Sequence, residues 1–163
     1  MADWKKIYGP DWPSGKRKVQ KVIDALSAHG IKAEAYGFMP LLTEYTPENP
    51  PEKGAPDLKI VSMEIYVEVT GPNIPMSPQA GLWIRWDKFK YAEDHPEKEI
   101  WVAHIVESEN DLIRFLKLGS GVKERYEEIH PTPRKVIETY RTVLANDPHL
   151  FSLAQFCDYI KTH

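Results

Sequence analysis

The sequence of 163 residues contains a single cysteine, Cys157, so no disulfide can form within the chain. Such sparse cysteine favours a reducing compartment, and the cytoplasm is the expected location. No apolar run is long enough to span a bilayer, and the N-terminus lacks the apolar core of a secretory signal peptide. We therefore expect a cytoplasmic protein that has no membrane partner.

Several familiar kinds of site are also missing. The six histidines include no pair with the spacing of a helical zinc site. No glycine-rich phosphate loop follows a predicted strand, because Gly119-Ser-Gly121 lies between predicted helices, where it reads as a stop. His104 lies inside a predicted strand and is expected to be a hydrogen-bonded core residue. Cys157 has no basic neighbour, which favours a buried thiol over a nucleophile.

An excess of positive charge is absent as well. The chain has 21 Lys and Arg against 24 Asp and Glu, a net charge of -3, so any nucleic-acid contact requires a local basic surface. The densest basic cluster lies in the first predicted helix, where two readings are open: a solvated helix face, which is the commoner case, or a nucleic-acid-binding surface. This cluster comprises Lys16, Arg17, Lys18 and Lys21.

The fold expected from the chain is α/β of the α+β kind, in a single domain covering residues 1–163. The predicted order is a helix, three meandering strands, a helix, a strand, and then helices alone. Residues 40–56 are expected to form a long acidic loop. The predicted helices cover about 15–29, 82–93, 110–118, 132–145 and the segment after 152, and the predicted strands cover 31–39, 57–60, 64–71 and 99–107.

The centre of the predicted sheet is a pair of short strands joined by the turn Val61-Ser62-Met63. Asp57 opens the first strand and Glu68 lies near the end of the second, so an antiparallel pair places the two acids roughly opposite each other. In the second strand the apolar face comprises Ile65, Val67 and Val69, and the other face comprises Glu64, Tyr66, Glu68 and Thr70.

Two carboxylates held at short range on rigid strands suit a hard divalent cation. Mg²⁺ prefers oxygen ligands and keeps several waters, so one or two protein carboxylates suffice where a phosphate supplies further oxygens. The ion can then activate water and neutralise charge on the phosphate. The alternative is an exposed polar strand face, which is common on antiparallel sheets.

The order of elements, together with the two acids, resembles the PD-(D/E)XK nuclease superfamily. The matching residues are Pro56-Asp57-Leu58 and Glu68-Val69-Thr70, and the resemblance covers roughly residues 15–107. It implies a restriction-endonuclease-like αβββαβ core with a mixed sheet, with residues 108–163 as a helical C-terminal extension. It also implies a nuclease that requires Mg²⁺ or Mn²⁺ and hydrolyses DNA phosphodiester bonds, with Asp57, Glu68 and the main-chain carbonyl of Val69 as metal ligands.

The sequence departs from this family at one catalytic position, because Thr70 stands where the motif lysine is expected. In the family that lysine helps to position and polarise the attacking water. Some members carry a substitute basic residue on the following helix, where Arg85 and Lys88 are available here. Lys59, which shares a strand face with Asp57, is a second option. Lys90 on the same helix would extend the nucleic-acid-binding surface of the first helix.

Two functions in different classes follow from the resemblance and its departure. One is a metal-dependent nuclease acting on DNA, and the other is a non-catalytic module that keeps the nuclease fold and binds nucleic acid or protein. Retention of Asp57 and Glu68 favours the first function, whereas Thr70 favours the second. The expected partner is DNA, and the formation of a homodimer is left open.

Overall fold

The computed structural model describes residues 12–37, 55–131 and 138–163. Most of the predicted acidic loop and the start of the helix predicted at Thr132 lie outside these residues. The described helices are α1 (Trp12–Ala28), α2 (Trp86–Asp94) and α3 (Leu153–Lys161). The described strands are β1 (Ala33–Ala35), β2 (Leu58–Ile60), β3 (Ile65–Thr70), β4 (Leu82–Arg85), β5 (Glu99–Val106), β6 (Leu112–Lys117), β7 (Glu127–Ile129), β8 (Tyr140–Val143) and β9 (Leu150–Ser152).

Within the described residues, the strands form two sheets. The main sheet has six strands in the order β1-β2-β3-β5-β6-β9, and its neighbours are antiparallel except for β3 and β5, which run parallel. The smaller sheet has three antiparallel strands in the order β4-β8-β7. The prediction of a mixed α and β structure with a mixed sheet is therefore confirmed, although the main sheet has six strands rather than about four.

The main sheet is covered on both faces by apolar side chains. On one face, Val22 and Leu26 of α1 and Phe156 of α3 pack against the sheet. On the other face, the small sheet and α2 provide a second cluster that includes Ile84 and Phe89. Alternate residues of β5 enter the two clusters, which confirms the prediction of a strand buried on both sides. None of the helices in the described ranges is long and apolar enough to cross a membrane.

The central hairpin has the predicted register. Leu58 pairs with Val67 and Lys59 pairs with Tyr66, so the same register places Asp57 directly opposite Glu68. The turn between the strands contains Ser62 at a φ of 67°. The predicted division of faces is also confirmed, because the apolar face of β3 joins the core under α1.

The segment 82–85 is a strand rather than the beginning of a helix. Leu82 and Ile84 are 1% exposed whereas Trp83 between them is 49% exposed, and this alternation matches the pairing of β4 with β8. The helix predicted over 82–93 begins only at Trp86. The spacing of Leu82, Trp86 and Phe89 imitates a helical stripe, but Trp86 lies partly in solvent.

The helix predicted over 110–118 is wrong, because residues 112–117 form strand β6, which lies between β5 and β9 in the main sheet. Ile113 and Phe115 enter the core under α1, while Leu116 enters the opposite cluster. Apolar residues on both faces hid the two-residue period that identifies a half-buried strand. Asn110, predicted as the helix cap, adopts a left-handed conformation with φ 53° before β6.

The C-terminal part is therefore not a helical extension. Residues 140–143, predicted as helix, form β8, and both β6 and β9 belong to the main sheet. The last helix is confirmed: the Ser152 hydroxyl accepts from Gln155 N–H, and the Gln155 side chain accepts from Ser152 N–H. Cys157 on this helix is a buried free thiol, as predicted, and burial raises its pKa.

We expect Phe156→Ala to destabilise the whole protein by about 3–5 kcal/mol, because Phe156 is fully buried and stacks on Phe115 of β6. Urea unfolding followed by the fluorescence of Trp101, which contacts the same ring, measures the loss. Leu144→Ala is the control, and its effect should stay within about 0.5 kcal/mol because that side chain is 66% exposed. If Phe156→Ala unfolds at the same urea concentration as wild type, the claim that α3 is part of the folded core is contradicted.

Candidate active site around Asp57, Glu68 and Lys88

A cleft of about 290 Å³ lies where the end of β3 meets the start of α1 and the junction of β4 with α2. Its walls include seven site residues named by the sequence analysis, from four separate segments of the chain. These seven are Lys18, Asp57, Glu68, Val69, Thr70, Arg85 and Lys88. The fold therefore gathers side chains that lie up to 70 residues apart in sequence (88 minus 18).

Asp57 is held against β3 by a backbone contact. Its Oδ2 accepts a hydrogen bond from the Val69 N–H at 2.8 Å, and its own carbonyl accepts from Tyr36 N–H at 2.7 Å. The N–H and C=O of one strand residue point to the same edge of the strand, so the Val69 carbonyl faces the edge where Asp57 lies. Asp57 is therefore anchored beside the end of β3, next to Glu68.

Glu68 forms a buried ion pair with Lys88. The Lys88 Nζ lies 3.0 Å from Glu68 Oε1, and the two side chains are 18% and 9% exposed. Phe89 beside Lys88 is 1% exposed within the core cluster of α2, so packing of the helix fixes where Lys88 enters the cleft. A charge-assisted hydrogen bond at this distance is stronger than one between neutral groups.

The electrostatics of the cleft are those of crowded negative charge. Burial, together with the charge of Asp57, raises the pKa of Glu68 well above its ordinary value, although Lys88 offsets part of the effect. Burial also raises the pKa of Asp57 to about 6, again against the charge of Lys88. Burial lowers the pKa of Lys88, but the surrounding carboxylates, led by Glu68, more than compensate and raise it overall. Lys88 is therefore a cation at neutral pH.

The residues present fit a divalent cation that keeps much of its water. Glu68 Oε2 is buried and has no hydrogen-bond partner among the described residues, and a metal ion is one group that satisfies such an oxygen. No group of three or more His, Cys, Asp and Glu that could hold a metal occurs in the described ranges. Two carboxylates with a backbone carbonyl suit Mg²⁺ or Mn²⁺ supplemented by waters and phosphate oxygens.

The three basic substitutes for the motif lysine differ in position. Thr70 lines the cleft but carries no charge. Arg85 also lines the cleft, and its Nε lies 3.3 Å from Asp87 Oδ1. Lys59 pairs with Tyr66, which is two residues before Glu68, and its Nζ lies 4.0 Å from Glu64 Oε1. Of the three, Lys88 contacts one of the two acids.

The predicted basic surface of α1 is divided by internal ion pairs. Arg17 contacts Glu107 at 2.7 Å, and Lys21 contacts Glu107 at 2.9 Å and Asp111 at 2.8 Å. The hydrogen bond from Arg17 is the main reason that the pKa of Glu107 falls to about 2. Arg17 and Lys21 therefore tie α1 to the segment after β5.

The remaining members of that predicted surface also lie apart from one another. Lys18 is only 5% exposed, and its Nζ donates to Gly71 O at 2.9 Å and to Asn73 Oδ1 at 2.6 Å, so it belongs to the cleft wall. Lys16 is half-buried. Lys90 is exposed and donates to Asp94 at 2.8 Å along its own helix.

The structure adds two cleft-side residues that the sequence did not indicate. Asp87 is 7% exposed and its charge acts on both Lys88 and Glu68. In the sequence, Asp87 looks like an ordinary solvent-exposed acid in the first turn of a helix, so nothing there predicted a buried carboxylate beside the cleft. Tyr140 lines the cleft from β8, in a segment predicted as helix, and correct assignment of β8 would have been needed to find it.

The two raised carboxyl pKa values give the stability a specific pH dependence. The folded state keeps protons that the unfolded chain has released, so the contribution of this pair is greatest at low pH and falls as the pH rises from about 4 through 6. His104 acts in the opposite direction. Burial lowers its pKa to about 4, so above this pH the unfolded chain still binds a proton that the folded state has released, and the contribution of His104 to stability increases with pH. His104 is a buried core residue, as predicted, at 3% exposure, and its Nδ1 has no side-chain partner among the described residues.

We therefore expect the double variant Asp57→Asn, Glu68→Gln to gain stability relative to wild type as the pH rises from about 4 to 7. His104 and Glu107 are common to both proteins, so the difference between their unfolding free energies isolates the carboxyl pair. Urea unfolding in the presence of chelator gives this difference at each pH. Parallel pH profiles for the two proteins would show that the two carboxyls do not share a strained, buried environment.

Comparisons with known proteins assign no family to this chain. No family model matches the sequence, and no curated protein matches it either. The function is therefore argued from the cleft, from the two opposed acids and from the lysine that contacts one of them.

Proposed function

We propose that this protein is a divalent-metal-dependent nuclease that hydrolyses DNA phosphodiester bonds. The observation that carries the proposal is the contact of 3.0 Å between Lys88 Nζ and Glu68 Oε1, on a strand where Glu68 lies opposite Asp57. Two acids and a lysine are the residue types that the resemblance requires. Lys88 supplies from α2 the charge that Thr70 does not supply from β3.

Asp57, Glu68 and the Val69 carbonyl are the groups that would hold Mg²⁺ or Mn²⁺. When bound there, the ion supplies an activated water and neutralises charge on the phosphate. The hydrogen bond from Val69 N–H to Asp57 Oδ2 fixes the orientation of that carboxylate next to Glu68. Glu68 lies on β3 and Asp57 directly precedes β2, where its carboxylate is tied to Val69 N–H of β3, so the separation of the two acids is fixed before any ligand arrives.

Lys88 acts as a cation rather than as a base, since the acids around it keep it protonated. Its ammonium orients the attacking water and stabilises the negative charge that develops on the phosphate oxygens. In the reaction, the water oxygen forms a bond to phosphorus and releases a proton to solvent, while the bond from phosphorus to the leaving sugar oxygen breaks and that oxygen takes a proton from solvent. The Thr70 hydroxyl lines the same cleft and can donate a hydrogen bond to a phosphate oxygen.

Attraction for DNA must arise locally in a chain of net charge -3. Lys18, Arg85 and Lys88 lie in the walls of one cleft, which concentrates positive charge where a phosphate would enter. The basic residues of α1 that pair with Glu107 contribute less to this attraction, because their charge is already neutralised within the chain.

A non-catalytic binding module is the second candidate, favoured by the uncharged Thr70 in the cleft. Both candidates bind nucleic acid through the same cations, so binding alone does not separate them. Cleavage that depends on metal separates them directly, because a module without catalysis binds DNA and leaves it intact under every metal condition.

We expect the purified protein to nick plasmid DNA with Mg²⁺ or Mn²⁺ and to be inactive with chelator. Glu68→Gln and Asp57→Asn should abolish cleavage, because each removes a charged oxygen ligand. Lys88→Ala should lower the single-turnover rate by about 10²–10³-fold while most of the binding remains, since one preorganised charge is lost. Gel electrophoresis of the plasmid and a filter-binding assay measure the two effects.

Lys161→Ala on α3 is the matched control, since that lysine is exposed and does not line the cleft. It should cleave at the wild-type rate. Intact plasmid with every metal tested would contradict the nuclease proposal and favour the binding module. A wild-type rate for Lys88→Ala would instead transfer the role of the motif lysine to Arg85 or Lys59.

A further inference from the structure

The outer face of the small sheet carries an aromatic pair next to the cleft. Trp83 is 49% exposed, and its ring centroid lies 6.0 Å from that of Tyr140 with the ring planes tilted by 49°. A single exposed apolar side chain is common on protein surfaces, but here two aromatic rings lie together on one face beside the cleft. Their flat faces suit a ligand that also has flat apolar faces.

This aromatic pair is continuous with the cleft. Arg85 pairs directly with Tyr140 across β4 and β8, and both residues line the cleft that holds Glu68 and Lys88. On β4, Trp83 and Arg85 are two residues apart, so their side chains emerge from the same face of the small sheet. The rings of Trp83 and Tyr140 therefore lie at the edge of the cleft, whose walls carry the positive charges of Arg85 and Lys88.

We propose that Trp83 and Tyr140 stack with unpaired bases of a single DNA strand whose phosphates pass toward the cleft. This inference rests on the proposed function and names its substrate class as DNA with a single-stranded segment. Charge complementarity supports DNA as the occupant, because Arg85 and Lys88 lie where the backbone would enter. Aromatic rings can stack on unpaired bases, whereas the bases within a duplex already stack on each other.

The test compares binding of a fluorescein-labelled oligothymidylate strand and of a duplex of equal length, measured by fluorescence anisotropy with chelator present to prevent cleavage. Trp83→Ala should weaken binding of the single strand by about 5- to 150-fold, the range of one base-stacking contact. Binding of the duplex should change by less than about twofold. Trp83→Phe should retain most of the single-strand affinity, because it keeps an aromatic face.

The salt dependence provides a second readout. Trp83→Ala removes no charge, so the slope of log affinity against log salt should match that of wild type, whereas Arg85→Ala should flatten the slope. Leu144→Ala is the control: Leu144 is also an exposed apolar residue, but it lies beyond the end of β8 that is remote from the cleft. It should bind both probes as wild type does.

The outcomes separate this inference from the nuclease proposal. Plasmid cleavage by wild type together with unchanged strand binding by Trp83→Ala overturns the stacking surface alone. If neither the plasmid nor the labelled single strand is cleaved with Mg²⁺ or Mn²⁺, while Trp83→Ala shows the expected loss of strand binding, the stacking surface is supported and the nuclease is overturned. Equal losses on strand and duplex, or loss of a dimer in Trp83→Ala on size-exclusion chromatography, also overturn the assignment to unpaired bases.

Discussion

The ion pair between Lys88 and Glu68 is the interaction on which the cleft depends. Either charge alone would be costly at this depth, because the burial of an unpaired ion is expensive, and each charge makes the other tolerable. The pair also joins α2 to β3 through residues that are 20 positions apart in the sequence. Asp57 adds a second carboxylate, so the cleft retains more negative charge than Lys88 neutralises.

That imbalance explains why the site is better suited to ligand binding than to stability. A purely structural ion pair needs one acid for one base, whereas here Lys88 faces both Glu68 and Asp57, and Asp87 has Arg85 as its own partner at 3.3 Å. A divalent cation would relieve the excess, and a phosphate would then find positive charge from the ion and from Lys88. Preorganisation of this kind stabilises a transition state without further rearrangement. The aromatic face of Trp83 and Tyr140 would add orientation of the strand.

Local periodicity was sufficient to predict the elements that carry the two acids. The alternation along β3 and the short turn at 61–63 determine the hairpin register, and that register alone places Asp57 opposite Glu68. The helices predicted over 82–85, 110–118 and 140–143 were wrong for two reasons. β6 is apolar on both faces, which conceals the period of a strand. β4 and β8 are strands because they pair with each other, and such long-range pairing is not visible in the local sequence. Lys88 was one of several candidates from sequence, because its contact with Glu68 depends on where α2 begins and how it packs. Tyr140 could not be found without the small sheet.

The central claim is that Asp57 and Glu68 together bind a divalent cation beside Lys88. Crystals soaked in Mn²⁺ and measured at an X-ray energy where manganese scatters anomalously test this claim directly. The account predicts an anomalous peak in direct contact with carboxylate oxygens of both Asp57 and Glu68. Absence of a peak in this cleft, or a peak that contacts neither carboxylate, would contradict it.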